Sequence, residues 1–178
     1  MKESSIIPEC NLDTVLIEVC IPPARRYNHQ YGKGNVARDL MGRRKDEIAL
    51  GIIDEDPGKG SLPKYFSEFQ LVVSKDNLLL KKHLKRAHYL IFICPSIESW
   101  LLSSAKDAHI DIDKLFGFGS DHNLYLKKLL DISKPKKVYY DQRFRKLIKV
   151  LLGQSIPSIL TLKAWLENFK SGKLENLK

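Results

Sequence analysis

The sequence has no uninterrupted apolar run longer than residues 89–95 (YLIFICP). That is far short of the ~20 residues a bilayer-spanning helix requires, so neither a transmembrane segment nor a membrane partner is expected. The amino end, MKESSIIPE, lacks the apolar stretch of a secretory signal, which makes the cytoplasm the expected location. The three cysteines, Cys10, Cys20 and Cys94, form no CxxC pair and sit in or beside apolar runs. They read as buried small hydrophobes, and His88, His109 and His122 lack the Cys or His spacing of a zinc site. The glycines of YNHQYGKG are followed by no GK[ST] element, so this segment is not a Walker loop. Internal repeats and low-complexity tracts are also missing.

What is present describes a folded, basic chain. Hydrophobic residues make up 43% and charged residues 29% of 178 positions, a balance too apolar for disorder and a length suited to one core with a modest appendage. The formal charge of +9 favours a polyanionic partner, because Lys and Arg gain affinity by releasing counterions from phosphates. DNA or RNA is the expected partner.

Residues 4–8 (SSIIP) read as a first strand with Glu9 at its carboxyl end, and residues 12–21 carry Leu12, Val15, Leu16 and Val19 at helical spacing before Pro22-Pro23. Residues 25–31 (RRYNHQY) suggest a short second strand, and residues 35–44 a helix with Val36, Ala37, Leu40 and Met41 on one face. The run 48–53 (IALGII) has the continuous apolarity of a strand covered on both sides, ended by Asp54-Glu55-Asp56-Pro57-Gly58. Residues 69–74 and 78–82 predict a hairpin, 89–94 a further strand and 96–108 a helix. Helices over 124–132, 141–152 and 159–169 follow. The alternation implies an α/β fold with a mostly parallel sheet flanked by helices. The expected organisation is an α/β domain over 1–115 and a helical carboxyl-terminal extension over 116–178, packed on it.

In such a sheet, functional groups gather at the carboxyl ends of the strands. Glu9, Asp54, Asp56 and Glu98 all follow apolar strands and are expected on one edge, where hard oxygen ligands suit Mg²⁺ or Mn²⁺. Each also has a plainer reading: Asp54 and Asp56 precede Pro57-Gly58 and fit a turn, and Glu98 fits the positive end of a helix dipole.

Three segments carry a family resemblance: IIPECNLDTVLIE, with Glu9 and Asp13 in register with a strand-Glu-helix motif; GIIDEDPG, a strand ending in DxD; and YLIFICPSIESWLLSSA. Over roughly residues 6–108 the chain resembles the Toprim family of primases, topoisomerases and overcoming-lysogenization-defect nucleases, including small Toprim-like proteins of bacterial defence islands. Cys10 stands where the family usually has glycine, and Leu12 where it has threonine. The resemblance implies a magnesium-dependent phosphodiester reaction, nuclease or strand transfer, with Glu9, Asp54, Asp56 and Glu98 as catalytic and metal residues. It also implies a setting in phage defence beside a partner ATPase. The chain is too small for the DNA gates of a topoisomerase. A phosphatase using its first Asp as nucleophile is disfavoured by the late position of the DxD. A silent Toprim-like module that binds nucleic acid or protein remains the alternative, with Cys10 as its support.

Lys33 in YNHQYGKG is a candidate phosphate contact, with His29 beside it. Two basic runs are candidate nucleic-acid surfaces: Lys81, Lys82, Lys85 and Arg86, and the stretch holding Lys134, Lys136, Lys137, Arg143, Arg145, Lys146 and Lys149. Tyr139, Tyr140 and Phe144 are interleaved with the second and suit base stacking, against the alternative that Phe144, Leu147, Ile148 and Leu151 form a core stripe. Trp100 and Trp165 fall on apolar helix faces and are expected in the core.

Overall fold

The computed structural model describes residues 5–58, 60–134 and 136–177; the side chains of Lys136 and Lys137 lie outside the described residues, as does Ser4 of the expected first strand. Among the described residues, five strands form one sheet in the order β1-β2-β5-β4-β3, with β1 at Ile6–Pro8, β2 at Ala49–Asp54, β3 at Phe69–Lys75, β4 at Leu78–His83 and β5 at His88–Ile93. β1 pairs with β2, and β2 with β5, in parallel. β4 runs against β5, and β3 against β4. The sheet is therefore mixed but mostly parallel, and its fold is α/β.

Strand alternation sorts side chains onto opposite faces. Leu50, Ile52, Tyr89, Ile91 and Ile93 enter one core cluster with helices α1 (Asn11–Cys20) and α3 (Ile97–Asp107). The same cluster takes in buried residues of α4 (Ile112–Phe116), α5 (Tyr125–Ser133), α6 (Gln142–Gly153) and α7 (Pro157–Ser171). On the other face Ile53, Leu90 and Phe92 pack with Val36, Ala37 and Leu40 of α2 (Lys33–Met41) and with Tyr65, Phe66 and Phe69. Trp100 and Trp165 are buried, as expected, and Phe144, Leu147, Ile148 and Leu151 form a core stripe. Phe144 is thereby removed from the candidate stacking residues. No single helix among the described residues is long and apolar enough to cross a membrane.

One expected strand is absent. Residues 25–31 form an irregular loop, because RRYNHQY offers no continuous apolar face. The loop is fastened instead by the Gln30 amide donating to the Pro8 carbonyl at 2.9 Å and the Gly32 amide to the Glu9 carbonyl at 3.2 Å. The DxD strand is consequently second in the chain, not third. It still is not the first strand, so the position expected of a phosphatase nucleophile is not met.

Gly51 sets the approach of α2 to the sheet. A Cβ there would lie 2.7 Å from Leu90 Cδ2 and 2.9 Å from Val36 Cγ1. Gly51→Ala is expected to destabilise by about 1–3 kcal/mol through overpacking, whereas Gly153→Ala, with nothing within 4 Å of its added Cβ, leaves stability unchanged or slightly raised. Denaturant unfolding of both variants measures the contrast.

Candidate functional site

The three parallel strands end on one edge of the sheet, and each end delivers an acid. The Glu9 amide donates to the Ile52 carbonyl at 2.9 Å, carrying the β1–β2 pairing one residue further, and its Oε2 accepts the Asp54 amide at 3.2 Å. Asp54, paired in register with Ile93 of β5, accepts the Ile97 amide on Oδ1 at 2.9 Å. Ile97 is the first residue of α3, capped by Ser96, so the carboxylate meets a helix amino terminus. Glu98, the next residue, is buried and accepts the Ser133 hydroxyl from α5. Asp56 adopts φ 48°, donates its amide to the Pro95 carbonyl at 2.8 Å, and pairs with Lys33 at 3.4 Å.

A further acid completes the group. Asp13 is fully buried on the first turn of α1. Its Oδ2 accepts the Cys10 amide at 3.0 Å while the Cys10 thiol accepts the Asp13 amide at 3.3 Å, a capping box in which a thiol replaces the usual hydroxyl. Asp13 Oδ1 is buried without a hydrogen-bond partner. Cys10 thus has a local task, starting α1. Asp13 falls in the strand-Glu-helix segment singled out in the sequence, but nothing in the sequence marks its burial.

Burial and crowding raise the proton affinity of these acids. Asp54 is pushed up to about 10, first by loss of solvent and then by the charges of Asp13, Glu98, Asp56 and Glu9. Asp13 is pushed up to about 8, by burial and then Glu9. Glu9 is raised by burial, against the opposing pull of Lys33 and the Asp54 amide. Glu9, Asp54, Asp56 and Glu98 therefore share one edge and one electrostatic environment. Among the described residues, however, no three His, Cys, Asp or Glu side chains are arranged as a metal shell. Glu9, Asp54 and Glu98 are each engaged by a protein donor.

The basic candidates divide. Lys33 belongs to the acidic edge, its ammonium also donating to the Glu55 carbonyl at 3.2 Å. Lys81 lies over the Phe92 ring at 4.5 Å and Lys82 over the Tyr89 ring at 5.8 Å. Those rings occupy opposite faces of the sheet, so the two lysines do not form one patch. Arg143 is bound to Asp141 at 2.7 Å and lies over Phe116, and Arg145 is bound to the nearly buried Glu18 at 2.7 Å. Both guanidiniums have internal roles in addition to any contact with nucleic acid. Lys146 is exposed. Comparison with family models, with curated proteins and with solved structures gives no match to this chain.

Proton counting fixes the pH response. The folded protein keeps protons on Asp13 and Asp54 that the unfolded chain releases above about pH 4. Their stabilising contribution is complete below that pH and is lost as pH rises toward about 8 for Asp13 and about 10 for Asp54. The metal-free melting temperature is therefore expected to fall across the neutral range, and to fall less in Asp54→Asn, whose amide oxygen still accepts the Ile97 amide. A wild-type melting temperature that rises with pH there contradicts the assignment.

The basic residues give a separate test. Arg145→Ala leaves Glu18 short of a partner and is expected to cost about 1–3 kcal/mol. Lys146→Ala is expected to leave unfolding unchanged and, should the chain bind nucleic acid through this face, to lessen the salt dependence of that binding by about one phosphate contact.

Proposed function

We propose that this chain is a Toprim-like, divalent-metal-dependent phosphodiester-processing protein that acts on nucleic acid in the manner of a nuclease. The observation that carries the proposal is the crowding of Glu9, Asp13 and Asp54 at the carboxyl edge of a parallel β1-β2-β5 unit, with one Asp13 oxygen buried and unpartnered. Such a set of hard oxygens in poor solvent is costly as bare anions and suits a small dication. Glu9, Asp13 and Asp54 would hold Mg²⁺ or Mn²⁺, with Asp56 and Glu98 beside them; the chemistry such an ion would supply is neutralisation of a phosphate and a lowered pKa for an attacking water.

The chain's own groups supply orientation. The Ile97 amide fixes Asp54 and the Ser133 hydroxyl fixes Glu98, which limits the motion of both carboxylates. Lys33, 3.4 Å from Asp56, offers a cation at the rim of the acidic edge, where a phosphate oxygen would approach.

A silent binding module is the second reading. It is favoured by the protein donors that already engage Glu9, Asp54 and Glu98. Titration with Mn²⁺ or Mg²⁺, followed by calorimetry and by cleavage of single- and double-stranded substrates, separates the two. The proposal expects the metal to raise the melting temperature by an amount set by its concentration over Kd. Asp54→Asn and Glu9→Gln should lose that rise and any cleavage together. Metal binding without cleavage supports the silent module, and no metal response in the wild-type chain defeats the metal reading.

A further inference from the structure

A cleft of about 280 Å³ opens beside α1, and four of its walls are tyrosines. Two are fixed. Tyr27 is buried with its hydroxyl donating to the Ile21 carbonyl at 2.5 Å. Tyr139 donates to Glu18 at 2.7 Å and lies 5.4 Å beneath the Arg145 guanidinium, which itself holds Glu18. The other two stand at the rim: Tyr31 is 63% exposed and Tyr140 74% exposed. Tyr31 meets His29 nearly edge-on at 4.5 Å, and Tyr140 meets Tyr139 in the same manner at 5.3 Å. Both rings are thus oriented by a neighbour while much of their surface faces solvent. Arg26, also exposed, lines the same cleft.

The cleft adjoins the acidic edge through the backbone. Tyr31 lies between Gln30 and Gly32, whose amides donate to the Pro8 and Glu9 carbonyls at 2.9 and 3.2 Å. On its other side the cleft is lined by Thr14, the residue after Asp13. The cleft and the carboxylates are thus neighbours along the backbone of residues 30–32 and the first turns of α1.

Its size decides what enters. At about 280 Å³ the cleft lies just below the roughly 300–1,000 Å³ of pockets that take drug-sized ligands, a scale that suits a single planar base. Stacking on a tyrosine ring also needs a base whose face is not already covered in a duplex.

We infer that this cleft receives one unpaired base, stacked against Tyr31 and Tyr140 with Arg26 toward its phosphate, so that single-stranded or locally melted nucleic acid is the substrate class of the adjacent site. The second half of that statement rests on the function proposed above; the binding itself does not. Fluorescence anisotropy of a labelled single-stranded oligonucleotide and of its duplex, with the full chain in EDTA at fixed salt, tests it without metal.

The single strand is expected to bind more tightly than the duplex. Tyr31→Ala and Tyr140→Ala should each weaken single-strand binding by about 5- to 150-fold, the equivalent of ~1–3 kcal/mol per stacked base, while Tyr31→Phe, which keeps the ring, binds as wild type. Equal affinity for duplex, or Ala variants that bind like wild type, overturns the inference. A thermal melt of Tyr31→Ala with Mn²⁺ keeps the two ideas apart. Metal stabilisation that survives alongside lost strand binding supports the cleft and leaves the metal reading intact. Tyrosine-dependent strand binding in a wild-type chain that ignores metal supports the cleft and defeats the metal reading alone.

Discussion

The cost of holding several neighbouring acids out of water at one sheet edge is the constraint around which this molecule is arranged. Asp13 and Asp54 are each pushed far above the ordinary carboxyl range, by burial first and by neighbouring acids second. A protein gains no stability from assembling such a group at neutral pH; the surrounding fold has to bear the cost. The parallel register of β1, β2 and β5 imposes the assembly, because parallel strands end on the same side and Glu9, Asp54 and the Ser96–Glu98 turn are their successive ends.

The rest of the fold buttresses that edge. The Cys10–Asp13 capping box starts α1 immediately after Glu9, so the helix and the strand end are positioned together. The amino terminus of α3 meets Asp54, and α5, within the carboxyl-terminal helices, reaches back with Ser133 to Glu98. Those helices share the hydrophobic cluster of α1 and α3, so the acidic edge is supported from both ends of the chain. Hydrogen bonds from protein donors moderate the cost of burying these acids without removing it.

Much of this was legible in the sequence wherever one physical signal dominated. The runs 48–53 and 89–94 are apolar without interruption because both faces of β2 and β5 are covered, and the acids that follow them stand out by contrast. The hairpin and the later helices were equally plain, from turn residues and helical spacing. Residues 25–31 form no strand because their pattern is weak: Tyr27 is buried, while Tyr31, four residues on, is exposed. Asp13 was visible as a motif residue and invisible as a buried acid, since its burial depends on packing between distant elements. Arg145 finds Glu18 across 127 positions, a pairing that no local pattern announces. By contrast, the opposite facing of Lys81 and Lys82 follows from strand alternation alone.

The central claim is that these carboxylates form a cation site once a dication is supplied. Anomalous diffraction from crystals grown with Mn²⁺ addresses it most directly, since it locates the ion without assuming any activity. The account predicts an anomalous peak at the sheet edge within ~2.0–2.6 Å of oxygens from Glu9, Asp13 or Asp54, accompanied by rotation of at least one carboxylate away from its present amide donor. Manganese found only at surface acids such as Asp111 or Asp121, with Glu9 and Asp54 still bound to the Asp54 and Ile97 amides, would contradict it.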